Sequence, residues 1–232
     1  MRNIEMILKN WEASLCQNVS LAGLLARNPT ANKWKVTYRS LVLRECVFWR
    51  THDLLVQSHT LFKNGRILGS RILLRSAFES VATLIYLNQM TEQVLAGKLH
   101  FHEFSAKTCQ LLLGSRNQTT KHSSINIITV LGHCDKKYKG ISDEYAILSE
   151  SAHPNFEGAC FGYSRVDHER DETNFANHWH SMCSGDHESL LMLIAEIFEN
   201  EYNNVWPQQL EALEAWLVEH DAELEETKGE IV

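Results

Sequence analysis

Arg75 and Glu79 stand four residues apart in an otherwise apolar run, with Leu74, Phe78, Ala82 and Tyr86 around them. On a helix that spacing puts both side chains on one face, within pairing reach. Burying one ion pair is costly and rarely a net gain over apolar packing, so the pair calls for a partner or a role. Two readings stay open. One is a structural pair that ties a helix to neighbouring backbone; the other is an anion-binding or catalytic pocket. Arg116 and His122, separated by Asn117-Gln118-Thr119-Thr120-Lys121, form a second candidate pair, in which arginine can hold a phosphate and imidazole can move a proton. A third group is the histidines His153, His168, His178, His180 and His187, with Cys183 among them. On one continuous helix His180, Cys183 and His187 would share a face and could ligate zinc. Ser184-Gly185-Asp186 reads instead as a helix start, leaving surface or capping histidines and no metal site.

The elements that must position these residues are helices. Of the 232 residues only three are proline, none between 30 and 153, so long helices are permitted there. Gly65, Gly97, Gly114 and Gly140 each follow a helix-like segment, as a left-handed cap requires. The pattern predicts helices over 3–27, 33–63, 67–96, 98–113, 122–138, 142–153, 186–204 and 207–226. In the second, Trp34, Leu41, Phe48, Leu55 and Phe62 recur every seven residues and read as a core stripe. The third is apolar on nearly every side and belongs at the centre of the fold. Residues 155–183 carry no period and are expected to be irregular, and 125–131 is ambiguous between strand and helix. The fold class expected is all-α, a single-domain bundle of seven to eight helices.

Composition narrows the rest. The longest stretch without Asp, Glu, Lys or Arg is the 14 residues Ala13 to Ala26, shorter than a spanning helix needs. Glu5, Lys9 and Glu12 interrupt any leader-like apolar run. Six cysteines lie scattered with no Cys-x-x-Cys pair, which points to a reducing cytoplasm. The net charge of −7 conceals a basic first half, +8 over residues 1–116, and an acidic second half, −15 over 117–232. The halves are expected to neutralise one another within the fold or between subunits. The alternative is that the arginines and lysines of segment 27–75 follow a phosphate backbone, with RNA as a candidate partner.

Arg75-Ser76-Ala77-Phe78-Glu79, followed by Leu148-Ser149-Glu150-Ser151-Ala152-His153-Pro154, resembles a bacterial all-helical family of unknown function that combines an RSxxE helix with an LSxxxHP segment. The resemblance covers roughly residues 35 to 165 and implies that Arg75, Glu79, Ser149 and His153 converge as a binding site. From the cost of an unshared pair, His153 is expected within reach of Arg75 or Glu79, at a helix end set by Pro154. The segment from Arg116 to His122 resembles the Arg-polar-x4-His motif of the helical nuclease superfamily called HEPN. That resemblance implies a metal-independent ribonuclease in which Arg116 binds the scissile phosphate and His122 assists proton transfer at the ribose 2′-hydroxyl. Gly114 and Ser115 depart from the pattern by placing Arg116 in a loop. The leading expectation is a bacterial cytoplasmic protein that acts by binding a ligand, a partner protein or further copies of itself, without a cofactor. A setting in stress or phage defence follows from the helical families it resembles and from no particular residue.

Overall fold

The computed structural model describes residues 3–228, and these are mostly helical. In chain order the helices are α1 (Ile4–Ser14), α2 (Leu21–Arg27), α3 (Pro29–Asn32), α4 (Lys35–Lys63), α5 (Ile67–Leu95), α6 (Phe101–Leu113), α7 (Ile127–Cys134), α8 (Ile141–Ala152), α9 (Trp179–Asn200), α10 (Trp206–Glu219) and α11 (Asp221–Glu226). A π-helical turn at Phe156–Phe161 leads into a hairpin of β1 (Ser164–Asp167) and β2 (Glu172–Phe175), and a second π-turn at Glu201–Val205 joins α9 to α10. No helix of the described residues is long and apolar enough to cross a membrane. The contacts divide the chain into two compact units. The first comprises Met1–Ser14, Arg50–Val81 and Cys134–Ile197; the second comprises Leu15–Trp49, Ala82–His133 and Phe198–Val232.

Where the elements depart from the pattern-based expectation, side-chain chemistry explains the change. The first helix stops at Ser14 instead of running to 27. Cys16 Sγ donates to the Asn18 carbonyl at 3.2 Å and Gln17 Nε2 to the Leu15 carbonyl at 3.0 Å, so local bonds compete with the helix. Ser20 then caps α2 by accepting the Gly23 amide at 3.0 Å. Gly65 and Gly97 adopt φ of +70° and +68° after α4 and α5, as caps should. Gly114 is different. Its φ is −64°, and what it needs is room: a β-carbon there would sit 2.3 Å from the Gln110 carbonyl and 2.7 Å from Ser124 Cα. The ambiguous 125–131 run resolves as α7. The irregular 155–183 stretch resolves into the π-turn, the hairpin and the start of α9, which begins at Trp179, so Ser184-Gly185-Asp186 lie inside that helix.

In the first unit α1 buries Ile4, Ile7, Leu8 and Trp11, one face at helical spacing. In the second unit Trp34 meets Phe101 edge-on at 5.2 Å, and Phe48 packs on Phe198 and Tyr202 at 5.3 and 4.7 Å. Trp34, Phe48 and Leu55 of the heptad stripe are buried, while Leu41 and Phe62 are half-buried. The charge halves do meet inside the second unit. Lys33 pairs with Asp221 at 2.8 Å and Glu225 at 2.9 Å, and Arg27 pairs with Glu214.

Candidate functional site

The candidate residues lie along α5 and α8 in the first unit. Arg71, Arg75 and Glu79 follow one another at four-residue intervals and therefore share a face of α5. Arg71 Nε donates to Ser151 Oγ at 2.7 Å and its Nη2 to the Ile147 carbonyl at 3.2 Å. One turn on, Arg75 Nε donates to Ser149 Oγ at 2.8 Å and its Nη2 to the Tyr145 hydroxyl at 2.6 Å. The Tyr145 hydroxyl in turn donates to Glu79 Oε1 at 2.8 Å, and Arg75 Nη2 stands 3.3 Å from the same oxygen. Partners on α8 fall from 151 to 145 as those on α5 rise from 71 to 79. The two helices therefore run antiparallel along this seam.

Arg71 is buried and spent on α8. Arg75 and Glu79 keep 26% of their side-chain surface, and Arg75 Nη1 makes no bond within the described residues. The guanidinium also lies over the Tyr145 ring, 4.9 Å from its centroid. Burial first, and then the Glu79 carboxylate beside it, hold the Tyr145 phenol above the usual tyrosine range. Tyr145 therefore stays a proton donor to Glu79, and the cluster holds one guanidinium in a fixed orientation with one edge turned to incoming acceptors.

Arg75, Glu79 and Ser149 are thus brought together, and Tyr145 joins them. His153 is not. The helix ends at Ala152 ahead of Pro154, as expected, but His153 then takes extended backbone with φ −94° and ψ 142°. Its side chain is exposed and forms no bond to Arg75 or Glu79. In the second unit Arg116 is exposed in the loop between α6 and α7, without a side-chain partner among the described residues. His122 instead sets its Nε2 3.6 Å from Cys109 Sγ on α6, and no bond joins it to Arg116. Because α9 starts early, His180, Cys183 and His187 do share one helix, yet His187 faces the core and His180 is exposed. Among the described residues no group of three His, Cys, Asp or Glu could hold a metal ion.

Two features lie outside the residues singled out from the sequence. One is Tyr145, whose position four residues before Ser149 on α8 could have marked it. The other is a sealed polar cluster in the first unit. His187 is fully buried, with its Nε2 against Ser70 Oγ and 3.4 Å from Ser58 Oγ. Its Nδ1 is buried without a partner, and its ring stacks on Phe62 at 5.1 Å. Burial, then the Arg71 and His59 charges, push its pKa down to about 4, so the ring is neutral.

The hairpin that follows α8 leaves its apolar side chains exposed. Ser164 pairs with Phe175 and Val166 with Thr173, so these four side chains share one face, while Arg165, Asp167, Glu172 and Asn174 share the other. The polar face is the more covered one. Arg165 lies over the Phe161 ring at 4.4 Å and reaches Met182 Sδ at 3.4 Å. The apolar face is open, with Val166 60% and Phe175 80% exposed. The Ala176 amide donates inward to the Tyr163 carbonyl at 2.9 Å. By alternation the backbone groups of Asn174 and Glu172 also turn toward β1, and those of Thr173 and Phe175 turn away to a free edge. Phe156, 67% exposed, stacks on Phe161 at 5.8 Å in the adjoining π-turn.

Comparison with known proteins finds no matching family model, no matching curated protein and no matching solved structure.

Proposed function

We propose that this is a binding protein that works as a self-associating module, with the β2 edge and the Val166–Phe175 face as its contact surface. One observation carries the reading: the hairpin half-buries Arg165 and Asp167 of its polar face and leaves its large apolar side chains, Val166 and Phe175, open to solvent. Large exposed apolar groups in one place are the usual mark of an interaction surface. A two-stranded hairpin is also marginal in water by itself, whereas three or more strands hold.

A second copy fits the edge. With a two-fold axis at Asn174, Thr173 of each chain would lie opposite Phe175 of the other. Both have outward backbone groups, so the main-chain bonds of an antiparallel pair could close. The acidic turn residues Asp167, Glu169, Asp171 and Glu172 would then sit toward opposite ends of a four-stranded sheet, keeping like charges apart. The Arg75 network anchors α8, which leads directly into this surface, and Arg75 Nη1 remains available to an acceptor on whatever docks beside it.

Sedimentation velocity tests the reading on the full chain. A concentration-dependent dimer that Phe175→Ser and Val166→Ser both convert to monomer, with unchanged circular dichroism, is the expected result. A wild-type chain that stays monomeric at about 100 μM, weaker than ordinary specific association, overturns it.

A further inference from the structure

The second unit carries an apolar helix on its surface. The α2 segment reads Leu-Ala-Gly-Leu-Leu-Ala-Arg, and none of its seven residues is buried. Leu21 and Leu25 stand four apart on one face, both exposed, and Leu21 keeps 44% of its surface. A helix of a globular protein ordinarily turns its apolar stripe to the core, so an apolar helix that buries nothing offers that stripe to a partner.

The outer face of α4 continues this surface. Lys35, Arg39, Val42, Cys46 and Trp49 follow one another at helical spacing and share that face, and none of them is buried. Trp49 is 43% exposed, and its indole N–H is spent on the Cys16 carbonyl at 2.8 Å, so what it turns outward is ring carbon. Asn32 Nδ2 donates to the Leu24 carbonyl at 3.0 Å. The chain from Cys16 to Leu24 is therefore fastened to Trp49 at one end and to α3, just ahead of α4, at the other. That lays α2 along the first half of α4 and sets its leucines beside the open face.

Charge indicates what covers it. From Ala13 to Arg44 there are five cations and no Asp or Glu. Arg27 pairs with Glu214, Lys33 with Asp221 and Glu225, and Arg44 with Glu45. Lys35 and Arg39 have no carboxylate paired with them among the described residues. Two uncommitted cations beside open leucines and an indole match an anionic lipid surface, where acidic headgroups take the cations and the apolar side chains enter the boundary beneath. A nucleic-acid backbone would use the cations and leave the leucines in water.

We propose that α2 and the outer face of α4 dock on an anionic membrane surface, lying on it and not spanning it. The surface is separate from the hairpin and does not depend on self-association.

Co-sedimentation of the full chain with phosphatidylcholine vesicles, with and without phosphatidylserine, tests the assignment. Binding should be at least about five-fold tighter with phosphatidylserine, the factor contributed by one cation near such a surface, and should weaken as salt is added. Leu21→Ser with Leu25→Ser, and separately Lys35→Gln with Arg39→Gln, should each weaken binding about ten-fold or more, with unchanged circular dichroism. The two pairs act independently, so a pair that misfolds leaves the other to decide. No binding to the phosphatidylserine vesicles would overturn the proposal, as would equal binding to the neutral ones or a folded leucine variant that binds as the parent does. A chain that ignores both vesicles and binds single-stranded RNA through Lys35 and Arg39 alone would assign the surface to nucleic acid instead.

Discussion

Acidification should weaken the fold through one residue. His187 is sealed among Ser58, Ser70 and Phe62, with its pKa depressed to about 4 from an ordinary 6.5. In the unfolded chain the ring takes a proton near pH 6.5; in the folded chain it does so only near pH 4. The folded state is therefore at full strength above pH 6.5 and loses stability as pH falls toward 4. The difference of about 2.5 pKa units corresponds to about 3 kcal/mol at 1.36 kcal/mol per unit, with about 2 kcal/mol already lost by pH 5. Arg71, buried on the same side of the unit, and His59, which bonds to Glu5 at 3.2 Å, are the charged and titratable groups that act on it. Urea titrations between pH 7 and pH 4, on the parent and on His187→Gln, isolate the contribution, because the remaining titrating groups are common to both. The parent should lose about 2 kcal/mol more than the variant between pH 7 and pH 5. Equal losses in the two proteins would refute the argument and place the acid sensitivity elsewhere.

Glu79→Ala should cost about 1–3 kcal/mol in chemical denaturation, because Arg75 keeps Tyr145 and Ser149 and a quarter of its surface; a cost near 5 kcal/mol would mean the pair is far drier than its exposure indicates. In a double-mutant cycle Glu79→Ala and Tyr145→Phe should be non-additive by about 0.5 kcal/mol or more, since the phenol donates to that carboxylate. Gly114→Ala should destabilise by about 1–3 kcal/mol, because its new methyl meets backbone atoms, and an unchanged melting temperature would contradict that. Incubation with structured and single-stranded RNA in EDTA should leave the RNA intact. Cleavage abolished by both Arg116→Ala and His122→Ala would favour the ribonuclease reading instead.

Much of this architecture was legible in residue spacing. The seven-residue stripe from Trp34 to Phe62 marked α4, and the near-continuous apolar run after Ile67 marked α5, because packing demands are periodic along a helix. The pairing of Arg75 with Glu79 followed from their spacing, and Ser149 from the resemblance. His153 failed for a geometric reason: the proline that ends the helix also turns the preceding residue into extended backbone, away from the helix face that carries Tyr145 and Ser149. The hairpin escaped notice because Val166 and Phe175 alternate with polar neighbours over only four residues per strand, too short for a period to stand out. Trp179 began α9 earlier than Asp186 suggested, since a serine-glycine-aspartate run can sit within a helix when its flanks pack. His187 gave no local sign of burial; its partners Ser58 and Ser70 come from two other helices.

The central claim is that β2 offers its outer edge to a second copy, and hydrogen exchange of the Thr173 and Phe175 amides tests it most directly. These are the two amides of β2 that turn away from β1. Measured across a concentration series, both should gain protection as the protein is concentrated, together with the dimer seen by sedimentation. Exchange at both positions at the rate of an unstructured chain, whatever the concentration, would contradict the account.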